Sequence, residues 1–563
     1  MKRSHFKIYL SSLLLVFGLT SCTDLEIEET DSIISAGFQG LADPSSTVDE
    51  LYNRLNGQYG DQGNRFALME VTADAAIVPT RGTDWGDNGQ WSSLHQHLWS
   101  PEHVFVIAVW DQWNGNQLLC SQILDSRSSP STENIGEASF IRALSMWTIL
   151  DFYGQVPFRD VTLPSSALPE VLTGQAAVDF IIADLDTAIS NLPSVSAGSG
   201  EANGRASKAA ARYLKAKVLL NKHIYLGGAA DSSDMSAVVS LVDEIAGEGY
   251  ALQEGYFDLF RDSADTETVW SLASGVGNRI FNGLHYNSTS LGGGGWNGFS
   301  TLAEYYDLFE GDANSNRVEL DETPLDMQEE RRGGVPSGGI PFTGRDQTND
   351  EDGFEVGSNV GNGFLVGQQY ALDGTPLEDR AGAPLTFKRD FLDGTGSPSI
   401  INNDETTGIR VMKYAPRFGE FRGHEIFFRY ADAHLMKAEA LMRSGGDPTA
   451  LVNELRVLRQ ASPLGSVSEQ DLLDERGREL YAEAWRRNDL IRFGQYTRDW
   501  QFKAPASINN DKYNLFCKID INSDYNYNNG NAHLLHIFIG FNRDLFGILL
   551  LVWSLPWRKF TDK

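Results

Sequence analysis

A glycine-rich loop near the start of the chain carries a dense group of side chains that could bind a polar ligand. Residues 79–91 read PTRGTDWGDNGQW, in which two indoles alternate with charged and amide groups. A sugar offers apolar C–H faces and a rim of hydroxyls, so its site combines an aromatic platform with hydrogen-bonding side chains. The loop therefore predicts a carbohydrate-binding site. Its candidate contacts are Arg81, Asp84, Trp85, Asn88 and Trp91.

A second stretch of the same kind lies much further along the chain. Residues 292–298 read GGGGWNG, with a histidine and a tyrosine at 285 and 286. Trp296 and Asn297 again combine an indole with an amide, so they are predicted as further ligand contacts. Tryptophan is also a frequent packing residue, so loop anchoring is the alternative for Trp296 and core packing the alternative for Trp85. For Trp270, within the segment VWS, we favour the core.

Sequence motifs for catalysis are missing. The chain has no GxSxG nucleophile elbow, no GxxxxGK phosphate loop and no dinucleotide-binding fingerprint, so no enzymatic activity is predicted. A carboxylate pair for glycoside hydrolysis stays open among the 76 acidic residues.

Metal and cofactor signals are equally weak. His95, His97 and His103 lie close in sequence, but no cysteine pair, HExxH motif or further ligand at helical spacing accompanies them, so no metal is predicted. Residues 312–316 (DANSN) begin like a calcium loop, but Arg317 stands where the required glycine belongs, and the closing glutamate is replaced by threonine. An EF-hand is excluded, and an irregular calcium site stays open. No cofactor is expected.

The composition excludes nucleic acids as partners and disulfides as the main support of the fold. The chain has 563 residues and a formal net charge of −30, without a basic patch, so it would repel the phosphate backbone of a nucleic acid. Only Cys22, Cys120 and Cys517 are present, too few for a disulfide framework. The packed core must therefore carry the fold, with Cys120 expected to pack as a small apolar residue.

The N-terminus predicts export and lipid anchoring. Met1, Lys2 and Arg3 precede an apolar run at 8–19 that is too short to span a bilayer of about 30 Å, as expected of a signal peptide. The run ends in LTSC, which resembles a lipobox, so Cys22 is predicted to be lipidated after cleavage. The acidic segment that follows Cys22 suits a flexible tether and resembles an outer-membrane surface-export signal of Bacteroidota lipoproteins.

Hydrophobic periodicity predicts amphipathic helices over most of the chain, among them residues 178–189, 206–220 and 429–442. Between residues 251 and 428 the composition shifts to Gly, Asn, Asp and aromatic residues, which predicts long functional loops. The predicted organisation is a signal peptide (1–21), a lipidated tether (22–45), an N-terminal helical region (46–250), a loop-rich binding region (251–428), a C-terminal helical region (429–516) and an aberrant tail (517–563).

Ordered sequence blocks resemble one known family, SusD/RagB. They are EASFIRAL at 137–144, DFYGQVP at 151–157, GRASKAA at 204–210, RYADAHLMKAEA at 429–440, ERGRELYAE at 475–483 and WRRNDLIRFG at 485–494. The resemblance covers roughly residues 46–500. It implies a mainly α-helical fold, an α-superhelix of degenerate tetratricopeptide helix pairs that supports a loop-rich, irregular glycan-binding subdomain. Within the blocks, Arg142, Arg478 and Arg487 are expected to form ion pairs between packed helices.

The resemblance also implies a function. Family members capture oligosaccharides or polysaccharides on the extracellular face of the outer membrane and deliver them to a SusC-like TonB-dependent transporter, and most are not enzymes. In the family, the region of residues 81–91 carries ligand-contacting Arg, Trp and Asn residues, and relatives often place a second aromatic contact near Trp296. Two alternatives of other classes stay open, an outer-membrane glycoside hydrolase and a capping subunit for a transporter of non-sugar cargo.

The C-terminal tail departs from the family pattern. Relatives usually continue past a segment like residues 512–516 with a Pro-Ile-Pro turn, whereas this chain ends in an apolar run at 545–557. We therefore expect a reading-frame slip near Phe516. Resequencing the gene tests this: an open frame with no Pro-Ile-Pro alternative downstream would exclude it.

Overall fold

The fold is described from a computed structural model of the chain. The residues described are 37–164, 166–199, 204–260, 265–272, 276, 279, 282–288, 295–319, 324–325, 327–336, 361–370, 374–414 and 425–504. The predicted signal peptide, Cys22, the tether up to residue 36, Cys517 and the predicted aberrant tail lie outside them. Within the described ranges, no helix is both long enough and apolar enough to cross a membrane.

Helices dominate the first half of the described chain. They are α1 (Pro44–Gly60), α2 (Asn64–Glu70), α3 (Gln90–His95), α4 (Val104–Leu124), α5 (Thr132–Tyr153), α6 (Gly174–Asn191), α7 (Lys208–Leu226) and α8 (Ser232–Ala246). From α4 onward each helix packs on the next, as in an array of helical pairs. The mainly α-helical fold predicted from periodicity and from the family blocks is confirmed.

Local sequence explains where these helices begin, end and pack. On α6, Val178, Ile181 and Leu185 follow helical spacing and are fully buried. The Ser131 side chain caps the start of α5 by accepting a backbone hydrogen bond. Gly154 ends α5 with φ 69°, a left-handed conformation that glycine adopts at little cost.

Short strands and 3₁₀ turns replace helices in much of the remaining chain. The hairpin β1 (Gln155–Phe158) and β2 (Glu170–Thr173) joins α5 to α6, and β3 (Thr268–Leu272) begins the loop-rich region. The further elements are α9 (Ala303–Tyr306), β4 (Arg317–Val318), β5 (Gly333–Pro336), β6 (Asn362–Leu365), β7 (Gly367–Gln368), β8 (Thr386–Phe387), β9 (Arg410–Met412) and β10 (Glu425–Arg429). The 3₁₀ turns are Asp87–Gly89, Ser126–Ser128, Tyr256–Phe260 and Glu330–Arg332.

These strands form small sheets that close the loop-rich region onto the helices. β4, β5, β6 and β9 form one sheet in that order, β7 pairs with β8, and β3 pairs antiparallel with β10. Trp270 on β3 is fully buried, with its ring 5.1 Å from Phe140 and 5.3 Å from Phe427, so its predicted core position is confirmed. Cys120 is also buried, as predicted.

The C-terminal helices α10 (Tyr430–Arg443), α11 (Thr449–Leu458), α12 (Glu469–Leu480) and α13 (Arg486–Arg492) return to the N-terminal array. α10 packs on α7 and α8, and α13 packs on α2. Two of the three ion pairs expected between packed helices are present, Arg142 with Asp184 (2.7 Å) and Arg487 with Asp151 (3.1 Å). The expectation is wrong for Arg478, which pairs with Glu475 at 2.7 Å one turn away on its own helix, α12.

A buried ionic network centred on Glu479 joins the loop-rich region to these helices. The Glu479 carboxylate accepts hydrogen bonds from Arg331 beside β5, from Arg429 at the end of β10 and from Arg459 after α11. All four side chains are essentially excluded from solvent. Burial by itself raises the pKa of Glu479, but the three guanidinium groups outweigh it and hold that pKa far below its ordinary value.

The same electrostatics predict loss of stability in acid. Burial raises the pKa of Glu475 and Glu439, but neighbouring arginines reverse the shift and lower both from 4.5 to about 2. The unfolded chain therefore takes up these protons first as the pH falls, so the stabilisation is complete above about pH 5 and is lost toward about pH 2. Urea unfolding between about pH 7 and about pH 3 should show a falling free energy of unfolding. An unchanged or rising value would contradict this assignment.

Candidate functional site

The two glycine-rich loops singled out in the sequence meet in space. Arg81 donates from Nε to the carbonyl of Asn297 at 2.7 Å, although 216 residues separate the two. Ile77 and Ser300 exchange backbone hydrogen bonds of 2.8 and 2.9 Å, which align the two segments side by side. The two predicted groups of candidate residues therefore lie together in one region, which we call the loop junction (residues 77–91, 282–288 and 295–300).

Two buried arginines hold the loop junction from inside. Arg81 donates to the carbonyls of Asp404 and Thr407 at 2.6 and 2.8 Å, and Arg410 donates from Nη2 to the Asn297 Oδ1 at 2.6 Å. Burial lowers the pKa of Arg81 to about 10, and burial together with the nearby Arg81 charge lowers that of Arg410. The hydrogen-bond acceptors of both side chains are neutral oxygens, so these arginines brace the backbone of the loops.

Trp85 and Trp296 form the aromatic surface of the junction. Trp85 is half-buried and donates from Nε1 to the carbonyl of Trp296 at 2.6 Å. Its ring lies directly on Gly298, where an added Cβ would be 2.3 Å from Trp85 Cε2. Trp296 is 61% exposed, an unusual position for an indole. Trp85 thus anchors the loop, and Trp296 has the exposure that a sugar platform needs.

Left-handed backbone is concentrated here. The non-glycine residues concerned are Trp85 (φ 60°), Asp87 (φ 36°), Asn88 (φ 54°) and Asn297 (φ 54°). Asn and Asp adopt this conformation readily, whereas for Trp85 it costs on the order of 1–3 kcal/mol, a strain that the surrounding structure must maintain. The contacts of Trp85 with the Trp296 carbonyl and with Gly298 hold this backbone in place.

Three of the candidate residues have buried side chains. Arg81 and Trp91 are each 3% exposed and Asn297 is fully buried. Trp91 packs against Phe299 at 5.3 Å between ring centroids and donates from Nε1 to Asp87 at 2.9 Å. The sequence-based prediction that Arg81, Trp91 and Asn297 contact a ligand directly does not fit this geometry, because their polar atoms are satisfied inside the protein. These three side chains lie beneath the surface of the loop junction and hold its backbone in position.

The remaining candidates, Asp84 and Asn88, form a polar rim on the first loop of the junction. Asp84 is half-buried and accepts a hydrogen bond of 2.5 Å from the hydroxyl of Tyr286. Asn88 is exposed at the turn between the two tryptophans of the first loop. Together with Trp296, Asp84 and Asn88 supply the aromatic face, acceptors and donors that hydroxylated ligands require.

Two polar residues of the rim were not identified from the sequence. The guanidinium of Arg380 lies over the Tyr286 ring, 3.8 Å from Cζ to the ring centroid, and its Nε donates to Glu405 at 2.5 Å. Neither residue belongs to a recognisable motif, and their partners come from distant segments. The only sequence signal was their location in the loop-rich region.

The histidines and the calcium-like loop have structural partners. His95, His97 and His103 each contact a main-chain carbonyl through Nε2, at 2.9, 2.8 and 3.0 Å. In the loop of residues 312–316, Arg332 donates to the carbonyl of Ser315 at 2.9 Å. Among the described residues, no group of three or more His, Cys, Asp or Glu side chains is placed to hold a metal ion.

The contact between Trp85 and Gly298 predicts a local stability effect. Replacing Gly298 by alanine should destabilise the protein by about 1–3 kcal/mol, because the new methyl group must displace the Trp85 ring. The matched control is Gly86→Ala on the same surface, where φ is −68° and the nearest atom is 3.8 Å away. Urea unfolding should separate the two variants, and equal stabilities would show that the Trp85 ring moves without cost.

The chain resembles one group of known proteins both in sequence and in fold. Residues 266–535 match the SusD family. The starch-binding protein SusD of Bacteroides thetaiotaomicron is 26% identical over 561 residues, covering 90% of this chain and 94% of that protein. The chain is therefore similar to the SusD family along residues 266–535 and to the protein SusD along most of its length.

Solved structures agree with this similarity at the level of the fold. A SusD-like protein from Bacteroides fragilis matches with a TM-score of 0.56 and 18% identity, covering 80% of this chain and 86% of that one. Surface glycan-binding protein A from Bacteroides fluxus matches with a TM-score of 0.55 and 19% identity, covering 81% and 89%.

Proposed function

We propose that this protein is a cell-surface lipoprotein that binds an oligosaccharide or polysaccharide through the loop junction. The observation that carries the proposal is the exposed indole of Trp296, whose carbonyl accepts a hydrogen bond from Trp85 Nε1 on the loop that also carries Asp84 and Asn88. An aromatic platform with a polar rim complements a sugar ring, whose apolar face stacks while its hydroxyls form hydrogen bonds. The starch-binding function named for the relative that is 26% identical supports the same ligand class.

The second part of the proposal is delivery to a SusC-like TonB-dependent transporter in the outer membrane. Cys22 would carry the lipid anchor, and the acidic tether after it would let the binding domain move while attached. Several acyl chains give stable anchoring, whereas one is marginal. Weak individual contacts would suffice for capture, because repeated polymer units raise the effective concentration of ligand at the site. Replacing Cys22 by alanine should release the protein from the outer membrane.

The test is a binding panel with a catalytic assay alongside. Affinity electrophoresis or calorimetry against polysaccharides should show retardation or heat of binding, while a reducing-end assay should show no released sugar. Release of reducing ends would instead support a glycoside hydrolase. No binding across the panel, with co-purification of a transporter, would support a capping subunit for non-sugar cargo.

A further inference from the structure

Arg380 presents an unusually well-fixed guanidinium beside the exposed indole. Its side chain is 54% exposed, yet it is held on three sides. Its flat face stacks on Tyr286, its Nε donates to Glu405 Oε2 at 2.5 Å, and its backbone N–H donates to Glu405 Oε1 at 2.6 Å. Arginine normally loses considerable rotamer freedom on binding a ligand, and here most of that ordering has taken place in the free protein.

The two terminal amino groups of Arg380 are unused. Among the described residues, no acceptor lies within hydrogen-bonding distance of Nη1 or Nη2. These donors project in a fixed plane from the end of the guanidinium. A ligand can therefore receive two parallel hydrogen bonds without displacing any contact within the protein.

Arg380 belongs to the same surface as Trp296. Gly295, the residue before this tryptophan, donates its backbone N–H to the carbonyl of His285 at 2.8 Å. The next residue, Tyr286, carries the stacked guanidinium and donates its hydroxyl to Asp84. The segment that carries Trp296 and the stacked Tyr286–Arg380 pair are thus adjacent on the exposed side of the loop junction.

The charges around Arg380 disfavour an acidic ligand. Glu405 compensates its charge directly, and the carboxylate of Asp84 lies close by, bonded to the hydroxyl of the Tyr286 ring on which the guanidinium rests. His285 lies against Glu405 at 3.7 Å, but burial and nearby arginines lower its pKa to about 3, so it adds no positive charge near neutral pH. Two carboxylates, those of Glu405 and Asp84, thus already act on the exposed guanidinium of Arg380, so a uronate or sulfate group gains no net attraction.

We propose that Arg380 is a specificity-determining residue that donates from Nη1 and Nη2 to neighbouring hydroxyls of an uncharged sugar, next to the unit stacked on Trp296. The inference rests on the proposed glycan-binding function and narrows it to neutral polysaccharides. Hydrogen bonds from a charged donor to a neutral acceptor are strong and directional without requiring a charge on the ligand.

The test compares neutral polysaccharides (starch, laminarin, xyloglucan) with polyuronate and sulfated ones, using the full chain. The wild type should bind a neutral polymer with a Kd that changes less than about twofold between about 0.05 and 0.5 M NaCl, since no net charge is neutralised. Arg380→Gln should weaken this binding about tenfold or more, and Arg380→Lys nearly as much, because lysine lacks the planar fork. Arg54→Gln, at an exposed arginine on α1, is the control and should bind as the wild type.

A second variant tests whether Glu405 compensates the charge of Arg380. Glu405→Gln leaves the Arg380 charge unpaired and should increase binding of polyuronate relative to wild type, by about two- to tenfold at low salt. The inference is overturned if Arg380→Gln or Arg380→Lys binds neutral polymer as the wild type does, or if the wild type prefers an acidic glycan in a salt-sensitive way. If the protein binds an acidic glycan and Trp296 is needed for that binding, this inference is wrong and the proposed function stands. If the protein binds no glycan at all, the proposed function is wrong as well.

Discussion

Replacing Trp296 by alanine should abolish most of the glycan affinity while leaving the fold intact. Exposed aromatic anchors at binding sites contribute at least about 2 kcal/mol, so Kd should rise about 30-fold or more. The side chain is 61% exposed, so few packing contacts are lost. Free energies of unfolding should agree within about 0.5 kcal/mol. Calorimetry with the best polysaccharide of the panel and urea unfolding of the same preparations measure the two effects.

The matched control is Trp270→Phe in the buried β3–β10 pair. Trp270 packs between aromatic rings and has no exposed surface. This variant should lose about 1–3 kcal/mol of stability while the folded fraction binds glycan with unchanged Kd. If Trp296→Ala instead destabilised the protein and left Kd unchanged, Trp296 would be a loop anchor and the proposed site would be wrong.

Replacing Glu479 by alanine should produce the largest loss of stability among the changes considered. The carboxylate is fully buried and accepts hydrogen bonds from Arg331, Arg429 and Arg459. Its removal leaves three buried guanidinium groups short of a partner, and breaking a buried ionic interaction in this way costs about 3–5 kcal/mol. Since the network connects the loop-rich region to α12, the loop junction should become protease-sensitive before the N-terminal helices.

An exposed ion pair provides the control for this variant. Glu50 pairs with Arg54 one turn along α1, and their side chains are 53% and 41% exposed. Glu50→Ala should therefore cost no more than about 0.5 kcal/mol. Thermal and urea unfolding should place the two variants several kcal/mol apart. Similar losses would mean that the buried network contributes little beyond solvent-exposed pairs.

Several features of this protein follow from local sequence. The spacing of Val178, Ile181 and Leu185 predicts both a helix and the face that it buries, because a 3.6-residue period is a property of the segment alone. The family blocks predict the helical scaffold, and the core position of Trp270 follows from its apolar neighbours. Glycine-rich aromatic stretches at 79–91 and 292–298 mark where the loop junction lies.

The sequence could not sort the candidate residues into exposed and buried ones. Trp91 and Trp296 both stand on glycine-rich loops, yet the first packs on Phe299 and the second is exposed. Exposure depends on what the rest of the chain places against a ring, and that information is not local. For the same reason, neither Arg380 nor its free amino groups could be recognised from neighbouring residues.

Local sequence is sufficient to predict the helical scaffold, the family resemblance and the two segments that meet in the loop junction. Each depends on patterns within short stretches, where spacing and residue type are sufficient. Tertiary structure alone decided that Arg81 meets Asn297, that Arg410 braces the junction from below, and that Trp296 remains exposed. These contacts join residues more than a hundred positions apart, so their geometry is fixed only when the core closes and every buried polar group must find a partner.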